Sequence, residues 1–575
     1  MKIRSRRLQP GNEQSPPTSF GLPAAYVVLA LFAFVIPFPV LAQSNFSVPA
    51  DSWTYGAIQE LQTRGFLLDL SPGFKPYTRG EIAHALEALK KKDTVAKLSR
   101  ADKWLLEKLE KEFSGDMVKL RLEASAPDTS FTGARISEED FVNLAKGDYA
   151  AFKRADKLEF RPTLRTGFGV NFGNHLSLYA DATIDQTLKD DTLYSGSTKF
   201  GLDALHQQAY VRYSAKYFDF TFGRDYLSWG YGDNGKVMVS TTPGALDMAS
   251  LFVRTKVLKF NWFVAQLNPM PEFIPDTNNY SPYGPTPTYG QPDPLANRYL
   301  TGSRIEFNIG NKLFIGAYQA ALFGGPYASI NFENVNPVRL NYETSANEHP
   351  SLANNFLGLD ASLFWPADVN IYGNLMIDDW QVDRQTIGDL KPDLYSVQTG
   401  VRLADVFQTL GLVGTDVSFE YAMAGNRVYN EYNWWAFQKL LLRNYPIASP
   451  FGDDFWDIDL RLSQWLSSEW KLSLDAMHLE HGSSNIYSFY SMPWLTDPSI
   501  TVQTGYHEPF PFGVIQETNL LRLDALYQPA VNFYGSLSLM YTHDRNADYL
   551  SGITRDQFSF LLTFYYDFSR SLLFN

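Results

Sequence analysis

The chain has 575 residues, 45% hydrophobic, 15% aromatic and 19% charged, with no cysteine and a formal net charge of −13. The missing cysteines exclude disulfides, thiolate-bound zinc or haem, iron–sulfur clusters and thiol nucleophiles. Only one stretch is apolar enough to span a bilayer as a helix, which excludes a polytopic helical membrane protein, and the density of Leu, Phe and Tyr excludes a disordered chain.

At the amino terminus Lys2, Arg4, Arg6 and Arg7 precede an apolar run from Ala24 to Ala42. A basic head, an apolar middle and small residues before a polar start describe a secretory signal peptide over residues 1–42. The run is long enough for a membrane anchor, but Pro37, Pro39 and the Val40-x-Ala42 pattern favour cleavage. Removing residues 1–42 takes away four basic residues and Glu13, so the charge moves from −13 to −16. An acidic exported chain repels phosphates, which argues against a nucleic-acid partner.

Residues 43–115 read as a small helical domain on the periplasmic side. Tyr55, Ile58 and Leu61, with Gly65 just beyond, describe a short helix with a glycine stop. Thr78-Arg-Gly-Glu81 is a Thr-x-x-Glu capping box that opens a helix over 82–89. A third helix, over 103–113, carries Trp104, Leu105, Leu109 and Phe113. The opening Val48-Pro-Ala-Asp-x-Trp53 and Phe74-Lys-Pro…Thr78-Arg-x-Glu81 resemble a single S-layer-homology unit. That resemblance implies a peptidoglycan or other cell-wall partner for residues 46–89, with Trp53 and Arg79 as contacts. The plainer reading, which we prefer for these residues, is a three-helix cap with Trp53 and Trp104 in its core.

From residue 116 to 575 the dominant signal is period-two alternation. In 470–477, Trp470, Leu472, Leu474 and Ala476 alternate with Lys471, Ser473 and Asp475; in 557–568 one face is Phe558, Phe560, Leu562, Phe564, Tyr566 and Phe568. Brief turns near Asn171–Asn174, Ser214–Lys216, Lys256–Lys259, Gly310–Lys312, Pro366–Asp368, Leu466–Glu469 and Gln528–Val531, with a somewhat longer one near Asp405–Gly414, define eight hairpins. Long connections separate them, as expected when short turns face the periplasm and long loops face the cell exterior. Eight hairpins, a first strand near 117–124 and a last near 557–568 predict an 18-stranded antiparallel transmembrane β-barrel of the outer membrane. Closure gives every backbone N–H and C=O an internal partner in lipid. A soluble β-sandwich would leave the alternation of short and long connections unexplained. The aromatic excess then belongs to lipid-facing strands and to interfacial girdles. Phe568 and Phe574 compete as the terminal aromatic signal.

Chemistry of an enzyme is largely missing, and no cofactor or metal is implied. His478-Leu-Glu480-His481 has a spacing of three, not the four of a helical zinc site. His481-Gly-Ser483-Ser484 lacks an acidic orienter and a glycine elbow. Asp378 and Asp379 are adjacent on a strand and point to opposite faces. The long loops offer binding surface instead. Residues 223–235 carry Trp229, Tyr231, Asp233 and Asn234, and residues 425–454 carry Tyr432, Trp434 and Trp435. Flat aromatic faces beside Asp and Asn suit sugar rings, whose C–H faces stack while hydroxyls take hydrogen bonds; equally, these aromatics fit a luminal constriction or the girdle. The 269–300 loop holds eight prolines and reads as a stiff lid over the mouth.

Phe222-Gly-Arg-Asp-Tyr…Trp229-Gly-Tyr-Gly-Asp-Asn-Gly235, Arg298-Tyr-Leu-Thr-Gly302-Ser-Arg304-Ile-Glu306, Asn355-Phe-Leu-Gly-Leu-Asp360, Ile377-Asp378-Asp379, Phe419-Glu420-Tyr421 and Tyr445-Pro446…Gly452 together resemble the Wzi-type capsule-assembly barrels. The resemblance implies an 18-stranded outer-membrane barrel with a helical plug, holding surface or capsular polysaccharide as a lectin and not as an exporter. The competing expectation is a porin-like channel for sugars or small solutes, anchored to the wall by the helical domain.

Overall fold

The computed structural model describes residues 45–91, 98–113, 123–125, 163–172, 175–185, 203–233, 236–271, 295–326, 328–341, 353–365, 368–431, 437–443, 445–488, 490–566 and 571–573. The expected signal peptide, the tip of the proline-rich lid, Phe568 and Phe574 lie outside them. Ala42–Asn575 forms one compact unit. No helix among the described residues is long and apolar enough to cross a membrane.

Eighteen strands close into one barrel. They are β1 Thr163–Phe172, β2 Leu176–Asp185, β3 Asp203–Leu205, β4 Ala209–Ser214, β5 Phe218–Asp225 and β6 Leu246–Arg254. There follow β7 Leu258–Pro271, β8 Leu295–Ile309, β9 Leu313–Pro326, β10 Ala353–Trp365, β11 Val369–Asp379 and β12 Leu394–Leu403. The series ends with β13 Thr415–Ala424, β14 Phe455–Trp465, β15 Trp470–His481, β16 Gln516–Ala530, β17 Phe533–Arg545 and β18 Thr554–Tyr566. All eight predicted hairpins are present; seven close through two to four residues, too few to let the flanking strands pair elsewhere, and β12–β13 closes through eleven, 404–414. The count agrees with expectation, but its make-up differs at one point. Glu123–Ser125 pairs with Ser571–Leu573 in a separate ladder, and most of the expected first strand lies outside the described residues. Meanwhile β3 and β4 both pair with β2, as two pieces of one path broken at His206–Gln208.

Strand parity separates lipid from lumen. Along β18, Phe558 is 64% exposed and Phe560 50%, whereas Ser559 between them is 7% exposed. The same holds in β5, where Phe218, Phe220 and Phe222 face out, and in β10, where Leu357, Leu359 and Trp365 do. Exposed large apolar side chains of one parity on strand after strand make an apolar outer band.

The helical segment contains α1 Thr54–Thr63, α2 Arg79–Lys90 and α3 Arg100–Glu112. Gly65 takes φ +81°, the left-handed stop expected after α1. Thr78 and Glu81 form the predicted capping box, and Ser99 with Asp102 forms a second one that opens α3 three residues earlier than expected. Ile58, Leu61, Ile82, Leu86, Leu105 and Leu109 make its core, with Trp53 and Trp104 packed against the edge.

Candidate functional site: a filled lumen

Barrel interiors of open pores are polar, whereas in this one a large apolar cluster lies among the buried polar side chains. A single apolar cluster runs from Phe74 of the helical segment through Trp229, Val237, Met238 and Val239 to Leu440, Leu441 and Ile447 of the 425–454 connection. Three layers produce it.

The first layer is the helical segment, seated inside the short-turn end. Arg64, at the end of α1, is buried and meets Asp102 (2.9 Å), Asp405 (3.2 Å) and Asp416 (2.7 Å), so one guanidinium ties α1 to α3, to the β12–β13 turn and to β13. Burial opposes its charge, but the three carboxylates outweigh burial and raise its pKa. Glu60 pairs with Lys471 and accepts the Trp465 indole N–H (2.9 Å), while Glu81 pairs with Arg254. Burial works against the Glu81 carboxylate too, and Arg254 with the Thr78 N–H holds its pKa below the ordinary value.

The second layer is the 226–245 connection, which turns inward. Trp229 and Tyr231 thereby lie in the luminal core, the reading that competed with a sugar platform, whereas Asp233 stays exposed. Ser228–Trp229 pairs as a short ladder with Phe74–Lys75. The Trp229 ring is 2% exposed; its N–H donates to Asn261 Oδ1 (2.9 Å), and it meets Phe263 edge-on at 5.3 Å. Gly302 makes room for it: a Cβ there would stand 2.9 Å from Trp229 Cη2 and 3.0 Å from both Phe263 Cε1 and the Gln319 carbonyl. The Tyr231 hydroxyl, also buried, donates to Glu306 (3.2 Å). Asp233 takes Arg402 Nε (3.0 Å) and Gln59 Nε2 (2.7 Å). Burial would raise its pKa, but Arg402 and then Gln59 hold it well below the usual carboxylate range. Lys236 is wrapped by its own loop, donating to the carbonyls of Gly230 (3.3 Å) and Gly232. Burial, then Lys75, pushes its pKa down to about 7. The cause of the inward turn is steric and electrostatic, with partners far along the chain, so the aromatic spacing alone could not separate a lumen core from a lectin face.

At the junction of these two layers sits Arg304. It makes two bonds to Asp360 (2.9 and 2.7 Å) and one to Glu306 (2.9 Å), and it lies over the Phe74 ring at 4.3 Å. Glu306 also accepts the Ser71 hydroxyl. All three charged side chains are fully buried. Sequence reading named this segment only through its resemblance; its physical signal was two opposite charges of one parity, Arg304 and Glu306, on the inward face of a membrane strand.

The third layer caps the long-connection end. Asp378 Oδ2 accepts the Tyr429 N–H (2.7 Å), and the Tyr429 hydroxyl donates to the Val237 carbonyl (2.8 Å). Ser240 N–H donates to Ile447 O (2.9 Å). Arg298, fully buried, donates to the carbonyls of Phe437, Lys439 and Asn268. Arg427 pairs with Glu508 (2.6 Å) and lies over Trp494 at 5.2 Å, joining this connection to the 482–515 one. Asp453 and Asp454 are buried beneath. Burial pushes Asp453 up to about 7; burial and Asp453 push Asp454 up to about 9. Asn234, Tyr432, Trp434 and Trp435 lie outside the described residues.

The remaining candidates resolve as structural parts. His481 is buried between the Phe451 carbonyl (3.0 Å) and the Tyr549 hydroxyl (2.7 Å). The Ser483 hydroxyl accepts the Val514 N–H (3.1 Å). Asp379 pairs with Lys391 (2.7 Å) while Asp378 faces the cap. Arg79 is held by Glu112 (2.9 Å) over the Phe113 ring. No group of three metal-ligating side chains occurs among the described residues.

Eighteen strands with an apolar outer band, around an interior that holds the helical segment and parts of the 226–245 and 425–454 connections, define an outer-membrane β-barrel. The capsule assembly protein Wzi family matches residues 146–551, and the chain belongs to that family. It is similar in fold to the Escherichia coli outer-membrane protein Wzi, which is involved in group 1 capsule assembly and described as a carbohydrate-binding β-barrel: TM-score 0.55, 13% identity, 92% of this chain and 99% of that one. Similarity to Pseudomonas aeruginosa OccD3 (TM-score 0.39, 9% identity, 78% and 96%) and OprD (0.38, 10%, 78% and 94%) is too slight to carry an argument. No curated protein sequence matches the chain.

Proposed function

We propose that this chain binds and organises capsular or other surface polysaccharide at the outer membrane as a closed, non-enzymatic, lectin-like barrel. Family membership supports capsule assembly as the setting. The observation that carries the reading is the apolar cluster running from Phe74 to Ile447 inside the barrel, which leaves a hydrated polymer no route through the middle and keeps it at the surface. This also weighs against the porin-like alternative. The sugar contacts are proposed at Tyr432, Trp434 and Trp435, with Asn234; the segments flanking the first three, Tyr429–Glu431 and Phe437–Leu440, are fixed in the cap by the Asp378 and Arg298 bonds. Outer-membrane lipid is the second partner, on the strength of the outward apolar faces. A wall polymer at residues 46–89 draws no support from Arg79 or Trp53, which are committed to Glu112 and to the helical core.

Two measurements test this reading. The intact mature protein in a planar bilayer should conduct little; large unitary currents would overturn the closed-barrel reading. Trp434→Ala with Trp435→Ala should release surface polysaccharide while the barrel still migrates as a folded species on a semi-native gel. Unchanged retention would remove those residues from the site.

A further inference from the structure

Over β7–β9 the upper outside of the barrel wall is covered by part of the chain itself. On β9 the even residues Tyr318, Ala320 and Leu322 belong to the luminal cluster, so the odd ones face out, and Ile315 is exposed as that requires. Further along the same outer face Gln319, Ala321 and Phe323 are nonetheless buried. The cover is the connection over 328–341. Gln319 grips it with both ends of its amide, donating to the Arg339 carbonyl (2.7 Å) and accepting the Asn341 N–H (2.9 Å). Asn297, outward on β8, donates to the Ala328 carbonyl (2.8 Å). Between these ties Val335 packs with Tyr299 and Phe323, whose rings stack at 5.5 Å, and Trp262, Val264 and Ala353 surround them.

The neighbouring strand fixes the height of this cluster. On β10 the outward residues Leu359 and Leu357 are exposed, and the next outward position is Asn355. Gln319 pairs with Leu357, Ala321 with Asn355 and Phe323 with Ala353. The connection therefore begins at the upper edge of the apolar band and covers the level at which outer-membrane barrels carry an aromatic girdle. Trp262, Tyr299 and Phe323 are girdle residues by type and place, yet Tyr299 is only 8% exposed and Phe323 4%. The connection presents apolar side chains of its own instead: Phe332 is 87% exposed, Val338 84% and Leu340 62%, and Ile330 is exposed too. Asn331, Glu333 and Asn336 are exposed among them in the chain.

We propose that the 328–341 connection is an interfacial lipid anchor. Lying on the outside of the barrel, it takes the place of the buried girdle over β7–β9 and sets Ile330, Phe332, Val338 and Leu340 into the headgroup–acyl boundary of the outer leaflet. This apolar face adjoins the lipid-facing band of Ile315, Leu357 and Leu359. Mixed apolar and polar side chains on irregular backbone suit the interface, where headgroups and water satisfy peptide groups, and not the hydrocarbon core, where those groups go unpaired. A second copy of the chain fits less well: a stable interface takes about 20–30 residues a side, and the exposed apolar face here is four. The anchor rests on the outer-membrane placement of the barrel and goes beyond it, giving one long connection a lipid role in place of a glycan one.

The chain has no cysteine, so a single introduced thiol can be labelled without background. Phe332→Cys and Val338→Cys, each in the full mature chain, are labelled with an environment-sensitive fluorophore and placed in phosphatidylcholine nanodiscs; folded migration on a semi-native gel verifies each variant. Both labels should lose most of their emission to lipids brominated high on the acyl chain and little to aqueous iodide. Leu359→Cys reports the strand band, and Val382→Cys, exposed in the 380–393 connection, reports water. Iodide quenching at 332 and 338 as strong as at 382 overturns the anchor. Shielding from both quenchers overturns it as well, and disulfide-linked dimers of unlabelled Val338→Cys would then identify a second copy as the cover. If the label at 359 also escapes the brominated lipid, the membrane placement of the barrel falls; if 359 responds and 332 and 338 do not, only the anchor falls.

Discussion

Arg304→Met removes the guanidinium from between Asp360 and Glu306, with nothing of like charge to replace it. The Arg304–Asp360 contacts are 2.9 and 2.7 Å, the Arg304–Glu306 contact is 2.9 Å, and all three side chains are fully buried. Breaking a buried pair from one side costs about 3–5 kcal/mol, because the orphaned carboxylates stay in a water-poor site. The lost cation–π contact with Phe74 adds about 1 kcal/mol or more. That cost falls on the joint between wall, inward connection and helical segment, since Glu306 also holds Ser71 and Tyr231. At about 1.4 kcal/mol per power of ten, the helical segment should leave its seat at least a hundredfold more often. The assay is paired: planar-bilayer conductance, and limited proteolysis of residues 46–113 from the periplasmic face. Frequent openings and faster cleavage are expected, and Asp360→Asn added to Arg304→Met should restore part of the closure by removing one stranded charge. Wild-type conductance and cleavage in Arg304→Met would refute the argument that this buried trio holds the barrel shut.

Gly302→Ala should loosen the inward connection, since its Cβ would meet Trp229, Phe263 and the Gln319 carbonyl at 2.9–3.0 Å; a cost of about 1–3 kcal/mol is expected, read as a lower temperature for loss of folded migration on a gel. The outer cap should loosen as pH rises. Asp454 carries a folded pKa of about 9 against an ordinary 3.8, so the folded state keeps its proton where an opened cap has released it. The stability this contributes is complete below the ordinary value and is lost as pH rises through the folded one. Protease nicking within residues 437–454 should therefore increase between about pH 6 and pH 9, and Asp454→Asn should flatten most of that rise. Arg64→Met strands Asp102, Asp405 and Asp416 around one buried point and should destabilise the seat of α1 by about 3–5 kcal/mol, measured by hydrogen exchange over Thr54–Thr63; unaltered exchange there would count against the three-way clamp.

The barrel itself was legible in the chain because its determinants are local. Period two is a property of each strand, so the one-face run Phe558, Phe560, Leu562 and Phe564 names its lipid side without knowledge of any neighbour. Turn length decides pairing in the same local way, which is why all eight hairpins could be placed. Thr78-x-x-Glu81 and the Gly65 stop are likewise complete within a few residues. What tertiary structure alone decided is where the connections go. Trp229, Tyr231 and Asp233 have the composition of a sugar platform, and they also have that of a core. Their partners are Asn261, Glu306 and Arg402, and only the closed barrel brings these to one point. Arg79 and Trp53 fit a wall-binding motif, yet Glu112 and the helical core claim them. Aromatic and charged side chains read the same in sequence whether they meet water, sugar or each other. The difference is a matter of which residues hundreds apart become neighbours, and that is settled by barrel closure, not by spacing along the chain.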